Sequence, residues 1–264
     1  MQAVPISETE RTEVPRPGGM GYRRNYVGVS GSIAPGPQGF LVERMYPNPV
    51  IDPHFHDVDQ FQVVVAGDGR MGKQKVAPIT FQYADAYTPY GPIVGNDDGI
   101  SFFTLRPIAS GGHWVMPGNR DKMPGPAGRN IAGLFDHEVL LTDEGKTQRE
   151  ALMDPQEDGV DAVGFRFGPN AECQTEASTG GGQYILVCSG TIERDGKIFE
   201  ANSLMHVEAG EDAPTLRSGK DGANVLVMQF ARPSERPGSN PAEMAKRDPK
   251  AYVEKEALPG QKMN

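Results

Sequence analysis

The sequence predicts an all-β protein made of two copies of one β unit. Three observations predict it. Glycine (33) and proline (23) divide the 264 residues into short apolar runs, the punctuation expected of strands joined by turns. Long stretches with helical periodicity are scarce. Finally, one pattern recurs: Gln60 is followed by six residues and Gly67, and Gln183 by six residues and Gly190. A period that long points to two copies of a domain rather than to a solenoid, and the length suits one large domain or two small ones.

Each segment follows from its composition. Residues 1–25 are polar and broken by Pro and Gly, and read as an N-terminal arm laid over the body or a partner subunit. Residues 26–110 hold the first series of strand-like runs, among them GFLVERMY, QFQVVVAG, APITFQY and ISFFTLRP. Residues 111–155 open with GGHWVMPGNRDKMPGPAGRN and read as a linker. Residues 156–232 hold the second series: AVGFRFGP, GQYILVCSGTIERDGKIFE, SLMHVEAG and ANVLVMQFARP. Residues 233–264 are charged and Pro-rich, a tail with one or two helical turns in PAEMAKRDPKAYVEKEAL.

Composition excludes several classes. The net charge is -9, the pI is about 5.1, and no basic cluster stands out. Nucleic acid and anionic membranes are therefore poor partners. No run approaches the ~18 apolar residues of a membrane span. The polar N-terminus lacks the apolar core of a secretory signal, so the cytoplasm is the default compartment. Two cysteines, Cys173 and Cys188, cannot build a disulfide framework.

The chemistry concentrates in PHFHDVDQFQVVVAG, residues 53–67. His54 and His56 are two apart, so on a strand they face the same way. The spacing H-x-H-x3-Q-x6-G, met by His54, His56, Gln60 and Gly67, resembles the first motif of the cupin superfamily. Pro89 to Val94 approaches the second. The resemblance covers roughly residues 26–110 and 156–232. It implies a bicupin: two double-stranded β-helix, or jelly-roll, barrels in one chain. It also implies a divalent transition metal (Fe, Mn, Ni, Cu or Zn) held by His54 and His56 in the first barrel. Two departures weaken that ligand set: Gln60 stands where the family has Glu, and Val94 where it has its last His. In the second unit Thr175, Ala177, Ser178 and Thr179 fall at the histidine positions, so no metal site is expected there.

The residues keep alternatives open. His54 and His56 are ligands, or a hydrogen-bonded pair in a degenerate barrel. Gln60 is a ligand through its carbonyl oxygen, or a lining amide. Tyr87 and Tyr90 are packing residues, or phenols that act as acid, base or anchor. Phe61 and Phe103 are candidate substrate-binding residues of an apolar pocket. Arg106 either meets a substrate carboxylate or forms a surface ion pair. His113 and Trp114 fill an interface or cap the barrel mouth; His137 and His206 are structural. The function expected is a metal-dependent enzyme on a small organic substrate, with dioxygenase-, lyase- or isomerase-like chemistry. An aromatic substrate suits the apolar lining better than a sugar. The alternative is a metal-free small-molecule-binding or scaffold cupin. A homodimer is expected in either case.

Overall fold

The computed structural model describes residues 1–32 and 34–246, and these form three β-sheets with only three single helical turns. The prediction of an all-β chain holds. The chain folds into two compact units. Among the described residues, 10–132 with 234–246 form one; residues 1–9 with 133–233 form the other.

In the first unit the sheet order is Asn130–Leu134, Thr80–Ala84, Gln60–Met71, Ile93–Arg106, Gln38–Arg44, Gly19–Val27, Thr12–Arg16. Gln74–Val76 pairs with Gln60–Met71, and Val50–Ile51 with Ile93–Arg106. A separate ladder joins His54–Phe55 to Trp114–Val115. In the second unit the order is Gln2–Val4, Leu204–Val207, Gln183–Arg194, Thr215–Gln229, Asp161–Phe167, Thr147–Ala151. Lys197–Glu200 pairs with Gln183–Arg194, and Glu172–Gln174 with Thr215–Gln229. The two central hairpins, with their flanking short strands, follow one plan. The segment read as an arm thus supplies the strands Gln2–Val4, Thr12–Arg16 and most of Gly19–Val27. The segment read as a linker supplies Trp114–Val115, Asn130–Leu134 and Thr147–Ala151.

The repeated glycines have one physical cause. Gly67 and Gly190 adopt φ of +73° and +68° beside register shifts in their hairpins. A Cβ at Gly67 would lie 2.2 Å from the Gly99 carbonyl oxygen, and one at Gly190 would lie 2.1 Å from that of Gly222. Only glycine fits this bulged turn, which is why the Q-x6-G pattern survives in both halves.

Strand alternation sorts the first sheet into two faces. Register places Gln60, Gln62 and Val64 on the same face as Thr104, Phe102, Phe40 and Val42. Phe40, Val42, Val64, Ala84, Tyr90, Ile93, Ile100 and Phe102 form one buried cluster there. Each large apolar side chain so buried contributes about 1.5–3 kcal/mol. Phe61, Val63 and Phe103 project from the other face, where Phe61 meets Tyr83 and Phe103 meets Tyr26.

After the second unit the chain returns to the first. Arg236 donates to Asp59 at 2.7 Å, and its guanidinium lies 3.3 Å from Asp85. Both carboxylates are buried. Asn240 caps the short helix Pro241–Met244 by accepting from the Ala242 and Glu243 amides, with Pro241 in the first turn. Met244 packs with Val58 and Ile108. The rest of the expected helical stretch, from residue 247, lies outside the described residues.

Candidate functional site

The site forms where the long strand Ile93–Arg106 ends. Arg106 faces Gln38 across one ladder and lies beside Gln60 across the other. It is only 7% exposed. Its guanidinium donates through Nε to Gln60 Oε1 (2.8 Å), through Nη1 to Gln38 Oε1 (3.2 Å) and through Nη2 to His56 Nε2 (3.0 Å). All three acceptors are neutral, so they orient the charge without cancelling it. The surface ion-pair reading of Arg106 is therefore corrected: its strand end is buried, and its head points into the site.

The hydrogen bonds fix the tautomers. His54 Nδ1 lies 2.7 Å from the Asp52 carbonyl oxygen, and His56 Nδ1 lies 2.5 Å from that of Gly112. A carbonyl only accepts, so Nδ1 carries the proton on both rings and Nε2 keeps its lone pair. For His56 that lone pair receives Arg106. Asp57 supports this arrangement by accepting from the Ser110 hydroxyl and the Gly111 amide, bracing the loop that holds His56. Gln60 Nε2 donates to the Tyr90 hydroxyl at 2.6 Å, leaving the phenolic proton directed elsewhere. The Tyr90 ring lies 4.6 Å from that of His54.

His113 completes a group of three imidazoles, its ring 4.1 Å from His54 and 5.6 Å from His56. It is the exposed member of the three. Tyr87 stands apart. It donates its backbone N–H to the His56 carbonyl, and its ring faces Phe55, which stacks on Trp114. The structure therefore brings together His54, His56, Gln60, Tyr90 and Arg106. It does not bring in Phe61, Phe103 or Tyr87, which lie on other faces. Sequence reasoning missed Gln38, although its two-residue spacing from Phe40, Val42 and Arg44 placed it on their face.

Electrostatics keep the imidazoles neutral. Burial, then His113, lowers the His54 pKa to about 3. Burial and Arg106 push His56 well below the usual value. Partial desolvation of this outermost ring, then Arg106, Arg44 and Arg16, also lowers His113. Burial raises Tyr90 to about 12, so its proton stays on at neutral pH. The linkage has a definite sign. Below pH 6.5 the unfolded histidines take up protons that the folded ones refuse, so folding weakens as pH falls. His54 and His56 together should cost about 3 kcal/mol between pH 7.5 and pH 5.5, at ~1.4 kcal/mol per pH unit each. Urea melts across that range test this; a His54→Gln/His56→Gln variant should lose that share of the slope and keep the share of His113 and His206, whose pKa values are also lowered.

A divalent metal does not fit this arrangement. Arg106 donates to His56 Nε2 and Gln60 Oε1, two of the three atoms that would ligate. A fixed cation at that point repels a second one. Among the described residues no cluster of three or more His, Cys, Asp or Glu is arranged to hold a metal ion.

The second unit shows the same position without the charge. Gln229 lies opposite Gln183, as Arg106 lies beside Gln60. Gln183 Nε2 donates to Gln229 Oε1 at 3.0 Å, while Gln229 Nε2 donates to Gly159 O and Thr179 Oγ1.

The sequence matches no protein-family model and no curated protein. Solved structures do match. A protein from Nostoc punctiforme described as a candidate dioxygenase superposes with a TM-score of 0.59 at 11% identity, covering 86% of this chain and 81% of that one. Bacillus subtilis oxalate decarboxylase, an enzyme with Mn(II) centres, gives 0.53 at 11% identity, covering 89% and 78%. The same enzyme at pH 4.6 gives 0.54 at 10% identity, covering 88% and 77%. The likeness shows that this chain shares the fold of these structures. No helix among the described residues is long and apolar enough to cross a membrane.

Proposed function

We propose that the first unit binds a small organic carboxylate without a metal. One observation carries this reading: the Arg106 guanidinium is held by His56 and Gln60 at two of the three atoms a metal would need. Arginine matches a carboxylate with paired N–H donors, and such charge-assisted bonds are the strong ones. Around it stand a neutral imidazole, His54, with an accepting Nε2, and a phenol, Tyr90, with a proton to give. A carboxylate anchored on Arg106 would lie between that base and that acid. This arrangement suits proton transfer next to a carbonyl group, the core of isomerase and lyase chemistry.

The test is calorimetry with a panel of carboxylates on protein before and after passage over chelating resin. Binding at micromolar to millimolar concentration, unchanged by the resin, supports the reading. No heat with any carboxylate would overturn it.

A second reading is favoured by one specific feature. Nδ1 of both His54 and His56 is pinned to a backbone carbonyl, as in metal-ligating histidines, and His113 supplies a third ring. Displacement of Arg106 would then release a metal site in a bicupin enzyme. Stoichiometric metal in protein purified without added ions would favour it over the first. The expected homodimer stands as a separate proposal, checked by light scattering.

A further inference from the structure

Three more arginines occupy the face that carries Arg106. Register pairs Arg23 with Val42, and Arg44 lies two residues beyond Val42 on the same strand. Arg16 lies two positions beyond Val14 on the strand Thr12–Arg16, whose Thr12 opposes Arg23. Strand alternation therefore gives Arg16, Arg23, Arg44 and Arg106 one common face. On the strands that carry Arg16, Arg23 and Arg44 the acids, Glu13 and Glu43, fall at the alternate positions, where Glu43 pairs with Arg11 and Arg24; Asp97 and Asp98 lie at the far end of the Arg106 strand.

Phe40 links the two poles of this surface. The Arg106 guanidinium lies 5.5 Å from its ring centroid and that of Arg23 lies 5.4 Å away. Arg106 approaches from the Gln38 end of the strand and Arg23 from the Val42 end. These backbone anchors are four residues, about 13 Å, apart, and the long side chains lean toward the ring between them. Arg23 Nε and Arg44 Nε are buried with no hydrogen-bond partner. Burial, then Arg16, Arg44 and Arg106, lowers the Arg23 pKa to about 10. Leaving buried donors unmade is costly, and the common remedy for both faults is an anion.

We infer that the ligand is a dianion: one carboxylate on Arg106, a short apolar segment over Phe40, and a second anionic group on Arg23 and Arg44. This rests on the proposed carboxylate site and adds its second pole.

The test is calorimetry, on protein freed of metal by chelating resin, with succinate, glutarate and adipate, each beside the monocarboxylate of matched length. At least one dicarboxylate should bind on the order of tenfold more tightly than its partner, the gain of one further charge-assisted contact. Arg23→Met and Arg44→Met should each reduce that preference while leaving monocarboxylate affinity within about twofold; melting curves confirm that each variant folds. Equal binding of both ligand classes by the parent would overturn the second pole and leave the carboxylate site standing. A preference that persists in both variants would also overturn it. Failure of every ligand to bind would overturn both.

Discussion

Arg106→Met is expected to lose carboxylate binding by about 100-fold or more while melting within about 4 °C of the parent. Hydrogen bonds to charged groups are worth about 1.5–3 kcal/mol each, so removing a paired contact costs about 3 kcal/mol, or two decades of affinity. Stability follows a different balance. The variant leaves Gln38 Oε1, Gln60 Oε1 and His56 Nε2 without their donor, at roughly 1 kcal/mol each. It also removes a buried cation that repels Arg23, and replacing buried charge by apolar volume is often neutral or stabilising. The two contributions offset. Calorimetry and thermal melts of one preparation separate them. Arg106→Ala carries the same logic further. It frees His56 Nε2 near His54 and His113, so this variant should gain stability from added Zn or Ni that the parent does not. Equal stabilisation of the parent would instead favour the metal-dependent reading.

Arg236→Met is expected to destabilise the protein by about 3–5 kcal/mol, the usual cost of stripping one partner from a buried ion pair. Asp59 is 2% exposed, and Arg236 and the Ala86 amide donate to it. Burial already pushes the Asp59 pKa up against the opposing pull of Arg236. Asp85 is better protected: burial would raise it, but Arg129 and Arg236 outweigh that and hold it low. The damage should therefore centre on Asp59. Chemical denaturation of Arg236→Met, Asp59→Asn and the double variant forms a cycle. The double variant should recover much of the loss, because the carboxamide needs no counter-charge. Losses that simply add would show that the Arg236–Asp59 contact carries little energy.

Much of this is legible in the sequence. Gly/Pro punctuation and apolar runs mark the strands. Gln60-x6-Gly67 against Gln183-x6-Gly190 marks the repeat, because its glycine is forced by backbone geometry. Motif spacing and strand ends single out His54, His56, Gln60, Tyr90 and Arg106. Which candidates converge is not legible. Phe61 and Phe103 sit one strand position away from the site face, and a shift of one residue reverses a side chain. The first strands are hidden because TEVPR and GMGYRRNYV are too polar and Gly-rich to look buried. Their arginines line a face, and apolar periodicity does not register arginine.

The amide pair Gln183–Gln229 bears on ancestry. Counting six residues from the partners of the two bulge glycines reaches Arg106 in one half and Gln229 in the other. Arginine and glutamine codons can differ by a single nucleotide. A single nucleotide change therefore suffices to place or remove the buried charge at this register position, and the pairing of the strands around it is the same in both units.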